Sequence, residues 1–521
     1  MSGIIHSWPI EIDFNRAQIR SRIRETDVLD FKSEASYIVF TDGSKYYAKN
    51  GSTGVIEYSD ADASKVIQYT IDRAGERGGG KVFIKAGLYK LSNTITISKN
   101  NIVVEGEGAV TVLQISMSSA PFKAFIINNV SNIVIRHLAV DGNKANLPWT
   151  GNRVDYHAID FYGCNNVVIE GVVVRNCKAG ACIGFNSCTN VFVSHSVFMD
   201  GGESDKLCDG IYNQNSQRVV VESNIFINLT DTGVANDNCR RVIVRGNHFY
   251  NCGSHAFTWY NLSNSLPIPA FGVFIGNIVI GSDVAVWVDR ASKALQEPEE
   301  LIVIGNIITE GSIGLLLNGL SKGIVLGNYI GFQGSSGYGI QLNYSGRVDI
   351  FNNIITDVGF GIYFGSGNDG IRVVGNRFVA VANPMNAYGT QAIVRHNIGF
   401  DTGNFKATGV SVSIGTNNTY GNPVTITSPS NIISFFRLKI TWGGTFASGE
   451  TVTVKVEAVY TDGSTSFIEK SATATGSLWL TDDDIMSLIA QGKDIIKLNI
   501  YAKTNLSSTS VTVTVDTYGE G

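Results

Sequence analysis

The chain has 521 residues, with 40 Lys and Arg against 45 Asp and Glu, a formal charge of -5, and only 16% charged residues. Its 44% apolar content excludes disorder, and its 57 Gly, without a period of three and beside only 9 Pro, exclude a collagen-like fibre. The slightly acidic balance argues against nucleic-acid binding through phosphates, and no apolar run reaches the roughly 18 residues of a membrane span.

Residues 1–36 lack a basic start, an apolar core and a cleavage site, so no signal peptide is expected. Their charges alternate in sign without a strand pattern, which suggests a helical or extended arm able to dock another protein. Residues 62–74 place Ala63, Val66, Ile67, Ile71 and Ala74 on one helical face, with Asp62 as N-cap. This predicts a helix capping the end of a β-structure.

From about residue 100 a short phrase returns, among others as NIVIRHL, NVVIEGV, RVVVESN, RVIVRGN and IRVVGN. The phrases end at Glu107, Leu138, Val172, Ser196, Asn224, Asn247, Asn277, Asn306, Asn328, Asn353, Asn376 and Asn397, on average about 26 residues apart. Apolar residues alternate within them, as in Val219 and Val221, the period of a strand with one buried face. A second strand precedes most phrases, for example HAIDF, DGIYN, TGVAN and HAFTW. An all-β parallel β-helix of about 12 coils follows, each stacked on the next at about 4.8 Å. The Asn residues from 224 to 397 are expected to form a ladder along the stack. The seven cysteines fall into columns of that stack and read as inert core filler, neither a disulfide framework nor a metal site. No cofactor is expected.

After Asn397 the sequence turns to long Thr- and Val-rich alternation, which predicts a β-sandwich over 402–521 with one helix from Thr481 to Gly492. The run Asp482–Asp484 would be the acidic first turn of that helix. The predicted order is an arm at 1–36, a β-helix at 37–401 and a C-terminal sandwich.

The stretch DADASKVIQYTIDRAGERGGGKVFIKAGLYKLSNTITISKNNIVVEGEG resembles the N-terminal signature of pectate-lyase-type right-handed parallel β-helix proteins, which include polygalacturonase-like glycosidases and phage tail spikes. The lead-in YIVFTDGSKYYAKNGSTG is similar to β-helix proteins of thermophilic archaea and their viruses.

Aligning the coils puts His157, Ala181, Asp209, Thr232 and His255 in one column. Ile211 and Val234 then point inward, while Tyr212, Asp237, Trp287 and Asp289 point outward. A lengthened turn, MDGGESDKLCDG, adds Glu203 and Asp205 beside Asp209. Polygalacturonase-like enzymes carry NTDG, GDD, GHG and RIK on successive coils. Cys208-Asp209-Gly210-Ile211 is similar to the first, Asp231-Thr232-Gly233 to the second with Thr232 in place of an Asp, and Gly253-Ser254-His255-Ala256 to the third. The fourth falls near Trp287-Val288-Asp289, where neither basic residue is kept, so a galacturonate substrate is not expected.

Glycoside cleavage needs one carboxylic acid for the leaving oxygen and one carboxylate for water or carbon. Asp209 is assigned as the acid, Asp231 as the base and His255 as a residue tuning a carboxylate, by an inverting course like that of the relatives. Glu203, Asp205, Tyr212, Asp237, Trp287 and Asp289 are the candidate substrate contacts. Two readings stand: a tail-spike-like hydrolase of host-surface glycans, or a non-catalytic spike that recognises them. Either implies a virion protein exposed to the medium, docked to other virion or baseplate proteins through the arm. The resemblance also implies a homotrimer.

Overall fold

The computed structural model describes residues 35–260, 271–289, 300–386, 393–395, 397, 405–427, 435–480, 484, 487–488 and 495–520. The predicted arm at 1–36, apart from its last two residues, and most of the predicted helix at Thr481–Gly492 lie outside them. The fold is an all-β right-handed parallel solenoid of about 11 turns, followed by C-terminal sheets. The chain forms two compact units, residues 1–323 and 324–521.

The first unit opens with strands Tyr37–Thr41, Tyr46–Asn50 and Ile56–Asp60, which pair antiparallel, and the first of them joins Gly80–Ile84 in parallel. The helix Ala63–Glu76 packs over these strands. The Asp62 carboxylate accepts from the Ser64 backbone N–H at 2.9 Å, and Ala63, Val66, Ile67, Ile71 and Ala74 are buried, as their spacing predicts.

Each repeated phrase is one rung of a parallel sheet, such as Asn165–Glu170, Thr189–Ser194, Gln217–Glu222 and Arg240–Arg245, in strict register. A second parallel sheet takes two strands from each coil, for example Val197–Met199 and Cys208–Gln214. Between them side chains stack on their own kind. Phe198, Phe226 and Phe249 form a column with ring centroids 5.0 and 4.7 Å apart, close to the coil rise. All seven cysteines are buried free thiols.

Asparagines hold the turns. Asn247 accepts on Oδ1 from the Asn224 backbone N–H at 2.9 Å and donates from Nδ2 to Val221 O at 2.9 Å. Asn277 receives Asn247 in the same way, and Asn306 receives Asn277. Burying these amides is tolerable because each bonds along the stack.

In the second unit Asn328, Asn353, Asn376 and Asn397 repeat that chain of bonds. Beyond them a four-stranded and a five-stranded sheet share one core, which includes Leu438, Ile440 and Trp442 from one and Val454, Val456 and Ile500 from the other. This is a β-sandwich. Among the described residues no helix is long and apolar enough to cross a membrane.

Candidate functional site

In the first unit the register brings the predicted column together. Ala181 pairs with Asp209, and the Gly233 N–H donates to His255 O one coil on. Ile211 and Val234 are fully buried, so Tyr212 and Asp237 face the opposite side of the sheet. There a cleft of about 330 Å³ opens, lined by Asp209, Asp231, Thr232, Tyr212, Asp237 and Tyr260 together with Arg153, Val154 and His157.

Asp209 is 7% exposed and accepts from the Thr232 backbone N–H at 3.1 Å. Burial, reinforced by the charge of Asp231, pushes its carboxyl well above the usual range, against the opposing pull of Arg153. Asp231 pairs with Arg153 Nη2 at 2.9 Å, and the same nitrogen lies 3.6 Å from Asp209 Oδ2. The two carboxylate oxygens are therefore separated by no more than about 6.5 Å, the lower edge of the inverting spacing.

Sequence reasoning found no basic group at this site, and the structure corrects that. Arg153 begins the short 3₁₀ turn Arg153–Tyr156, within the stretch that joins the phrase ending at Leu138 to the strand Ile159–Tyr162. The interval from Leu138 to Val172 is 34 residues, the longest between phrases, and that length was the visible signal of an added loop. Tyr260 was also missed. Its strand, His255–Tyr260, was recognised, but its outward end was not followed into the cleft.

The other predicted residues divide. The Tyr212 hydroxyl donates to Asp237 Oδ2 at 2.7 Å, and burial raises Asp237 above the usual carboxylate range although that bond lowers it. His255 lies behind Thr232, with Nδ1 and Oγ1 3.4 Å apart, and burial pushes it down to about 4. It is not on the cleft lining. Trp287 is half-buried, its ring 4.5 Å from that of His255 and edge-on to Tyr260 at 5.3 Å, with the buried Nε1 unbonded. It packs on these two rings and is not on the cleft lining. Asp289 pairs in register with Tyr260, and burial raises its carboxyl. Glu203 is held by Lys178 at 2.8 Å and by Lys206, while exposed Asp205 meets Lys206 at 3.0 Å. Neither lines the cleft beside Asp209, because the turn between them closes on itself through the Glu203–Lys206 bridge.

No curated protein sequence matches the chain. The family described as “Periplasmic copper-binding protein (NosD)” matches residues 209–405. Among solved structures, the mannuronan C-5 epimerase AlgE6 A-module of Azotobacter vinelandii is similar at 20% identity and TM-score 0.54, over 65% of this chain and 95% of that one. The tailspike protein of E. coli bacteriophage HK620, solved in complex with a pentasaccharide, is similar at 13% identity and TM-score 0.51, over 88% of this chain and 90% of that one. The chain is thus a right-handed parallel β-helix that shares its fold with the tailspike and the epimerase module.

Proposed function

We propose that the cleft binds a neutral host-surface glycan and hydrolyses it with Asp209 as acid and Asp231 as base or nucleophile. The observation that carries this is the pair itself: two carboxyl groups on one guanidinium nitrogen, one of them buried and pushed towards its protonated form. A carboxyl pushed towards its protonated form beside a second carboxyl is what acid–base glycoside chemistry requires. Asp209 would give its proton to the leaving oxygen as the C1–O bond breaks and Asp231 attacks C1, and the Asp209 carboxylate would then take a proton from the water that breaks the Asp231–C1 bond. A spacing at or below about 6.5 Å favours retention through a covalent intermediate over the inversion expected from the resemblance. With Asp209, Asp231 and Asp237 against Arg153, the lining disfavours a carboxylated sugar.

The tailspike, similar in fold, was solved with a bound pentasaccharide, which supports a glycan as ligand. A place on a virion, docking through residues 1–36 and a trimeric assembly belong to the same proposal. A second reading, recognition without cleavage, is favoured by one observation: Asp231 is already engaged by Arg153.

Incubation with isolated cell-surface polysaccharide, with reducing ends and the anomeric product followed by NMR, tests both readings. Wild type should release oligosaccharide, and Asp209→Asn and Asp231→Asn should not. Release that survives in both variants would sink the catalytic assignment. Binding without release in wild type would leave recognition alone.

A further inference from the structure

The cleft has a second polar wall that the Asp209–Asp231 pair does not use. His157 lies on it beside Tyr212, with its side chain 9% exposed. Its Nδ1 is 3.3 Å from Asp160 Oδ1. Asp160 is almost completely buried, and its other oxygen receives the Tyr162 hydroxyl at 2.7 Å together with the ammonium of buried Lys123. A carboxylate held on one side by a hydroxyl and a cation presents a charged acceptor on the other. The proton of a neutral imidazole then resides on Nδ1, and the lone pair is on Nε2. Nε2 makes no hydrogen bond among the described residues, and His157 is part of the cleft lining.

The backbone is shaped for this pair. A Cβ on Gly184 would stand 2.6 Å from both His157 Nδ1 and Asp160 Oδ1, and one on Gly180 would stand 2.7 Å from His157 Cδ2. The next coil therefore passes under the ring only because both positions are glycine. The neighbouring Tyr212 hydroxyl is spent on Asp237, so this wall offers acceptors rather than free donors.

We infer that His157 is a substrate-contacting group, its ring held by Asp160 through the Nδ1 proton and its Nε2 accepting a hydrogen bond from a sugar hydroxyl. Asp160 is the positioning residue, and Lys123 and Tyr162 fix it. The inference rests on the reading of the cleft as a glycan site and adds the chemistry it selects: hydroxyl donors, not anions.

Diethyl pyrocarbonate, which acylates the lone pair of a neutral imidazole, reads this arrangement in the full chain. At pH 7 His157 should be carbethoxylated, as located by peptide mass spectrometry. One or more of D-mannose, D-glucose, D-galactose and N-acetyl-D-glucosamine should slow that labelling. Replacing Lys123→Met and Asp160→Asn together, so that no charge is buried alone, should slow it by about tenfold. Should that variant fail to fold, Tyr162→Phe keeps the ion pair and should slow labelling to a smaller degree. The ¹⁵N spectrum of the ring, assigned with His157→Gln, should show the proton on Nδ1. A proton on Nε2, an imidazolium, or labelling indifferent to Asp160 and Tyr162 overturns the inference. Protection by a sugar without glycan cleavage supports this contact and sinks the hydrolase; cleavage without protection does the reverse.

Discussion

Arg153 donates to Asp231 at 2.9 Å across 78 residues of sequence. Because the same nitrogen stands 3.6 Å from Asp209, one side chain sets the charge balance of both candidate catalytic groups. Arg153→Gln should let Asp209 rise further, since the guanidinium is what opposes its burial. Carboxyl-labelled ¹³C NMR across pH would show the pair titrating in two coupled steps, the upper one moved upward relative to wild type. An unmoved upper step would mean that the ion pair carries no weight in solution.

Asp209 is buried at a cost in stability. Its raised folded value means that the native state binds more protons than the unfolded chain, so stability falls as pH rises through and beyond the ordinary carboxyl value of about 4. Asp209→Asn removes that drain and keeps an acceptor for the Thr232 N–H. Thermal unfolding should show the variant more stable than wild type at pH 7, with the gap closing below about pH 4. A variant less stable at pH 7 would contradict this.

His255 acts in the opposite sense. Its folded value is depressed from 6.5 to about 4, so the native state binds fewer protons and stability is lost as pH falls through that window. The loss amounts to about 3 kcal/mol. His255→Phe, which keeps a flat ring against Trp287, should abolish this part of the acid sensitivity. Denaturant titrations at pH 6.5 and pH 4 would measure the difference, and parallel curves for the two proteins would refute it.

Asn247 receives two bonds from Asn224, donates to Val221 O, and meets Asn277 on the far side. Asn247→Ala strands buried donors and acceptors at once, which should cost about 2–4 kcal/mol. Chemical denaturation would check this, and an unchanged midpoint would refute it.

Much of this was legible because a solenoid repeats its local rules. The phrase endings gave the ladder of Asn224, Asn247 and Asn277 directly, and the column through Asp209 and Thr232 followed from counting. Alternation misled in one respect. Val220, Ile243, Val273 and Ile302 face away from Val219 and Val221 yet are also buried, because branched side chains one coil apart cover each other. Arg153 was hidden for a different reason. No repeat governs the course of the loop after Leu138, so its meeting with Asp231 depends on how that loop folds back. Trp287 looked exposed from its place in the strand, but strand alternation does not report the neighbours His255 and Tyr260 that cover it.

The asparagine ladder has an evolutionary consequence. Each rung satisfies its own groups with the rungs directly before and after it, so nothing in the bonding counts how many rungs there are. A duplicated or deleted coil leaves every junction chemically the same as before. The cleft, by contrast, depends on a few consecutive coils and one loop. A coil inserted or removed between two ladder asparagines away from the cleft would therefore leave the remaining rungs bonded as they are, whereas one inserted between Arg153 and Tyr260 would separate residues that line the cleft.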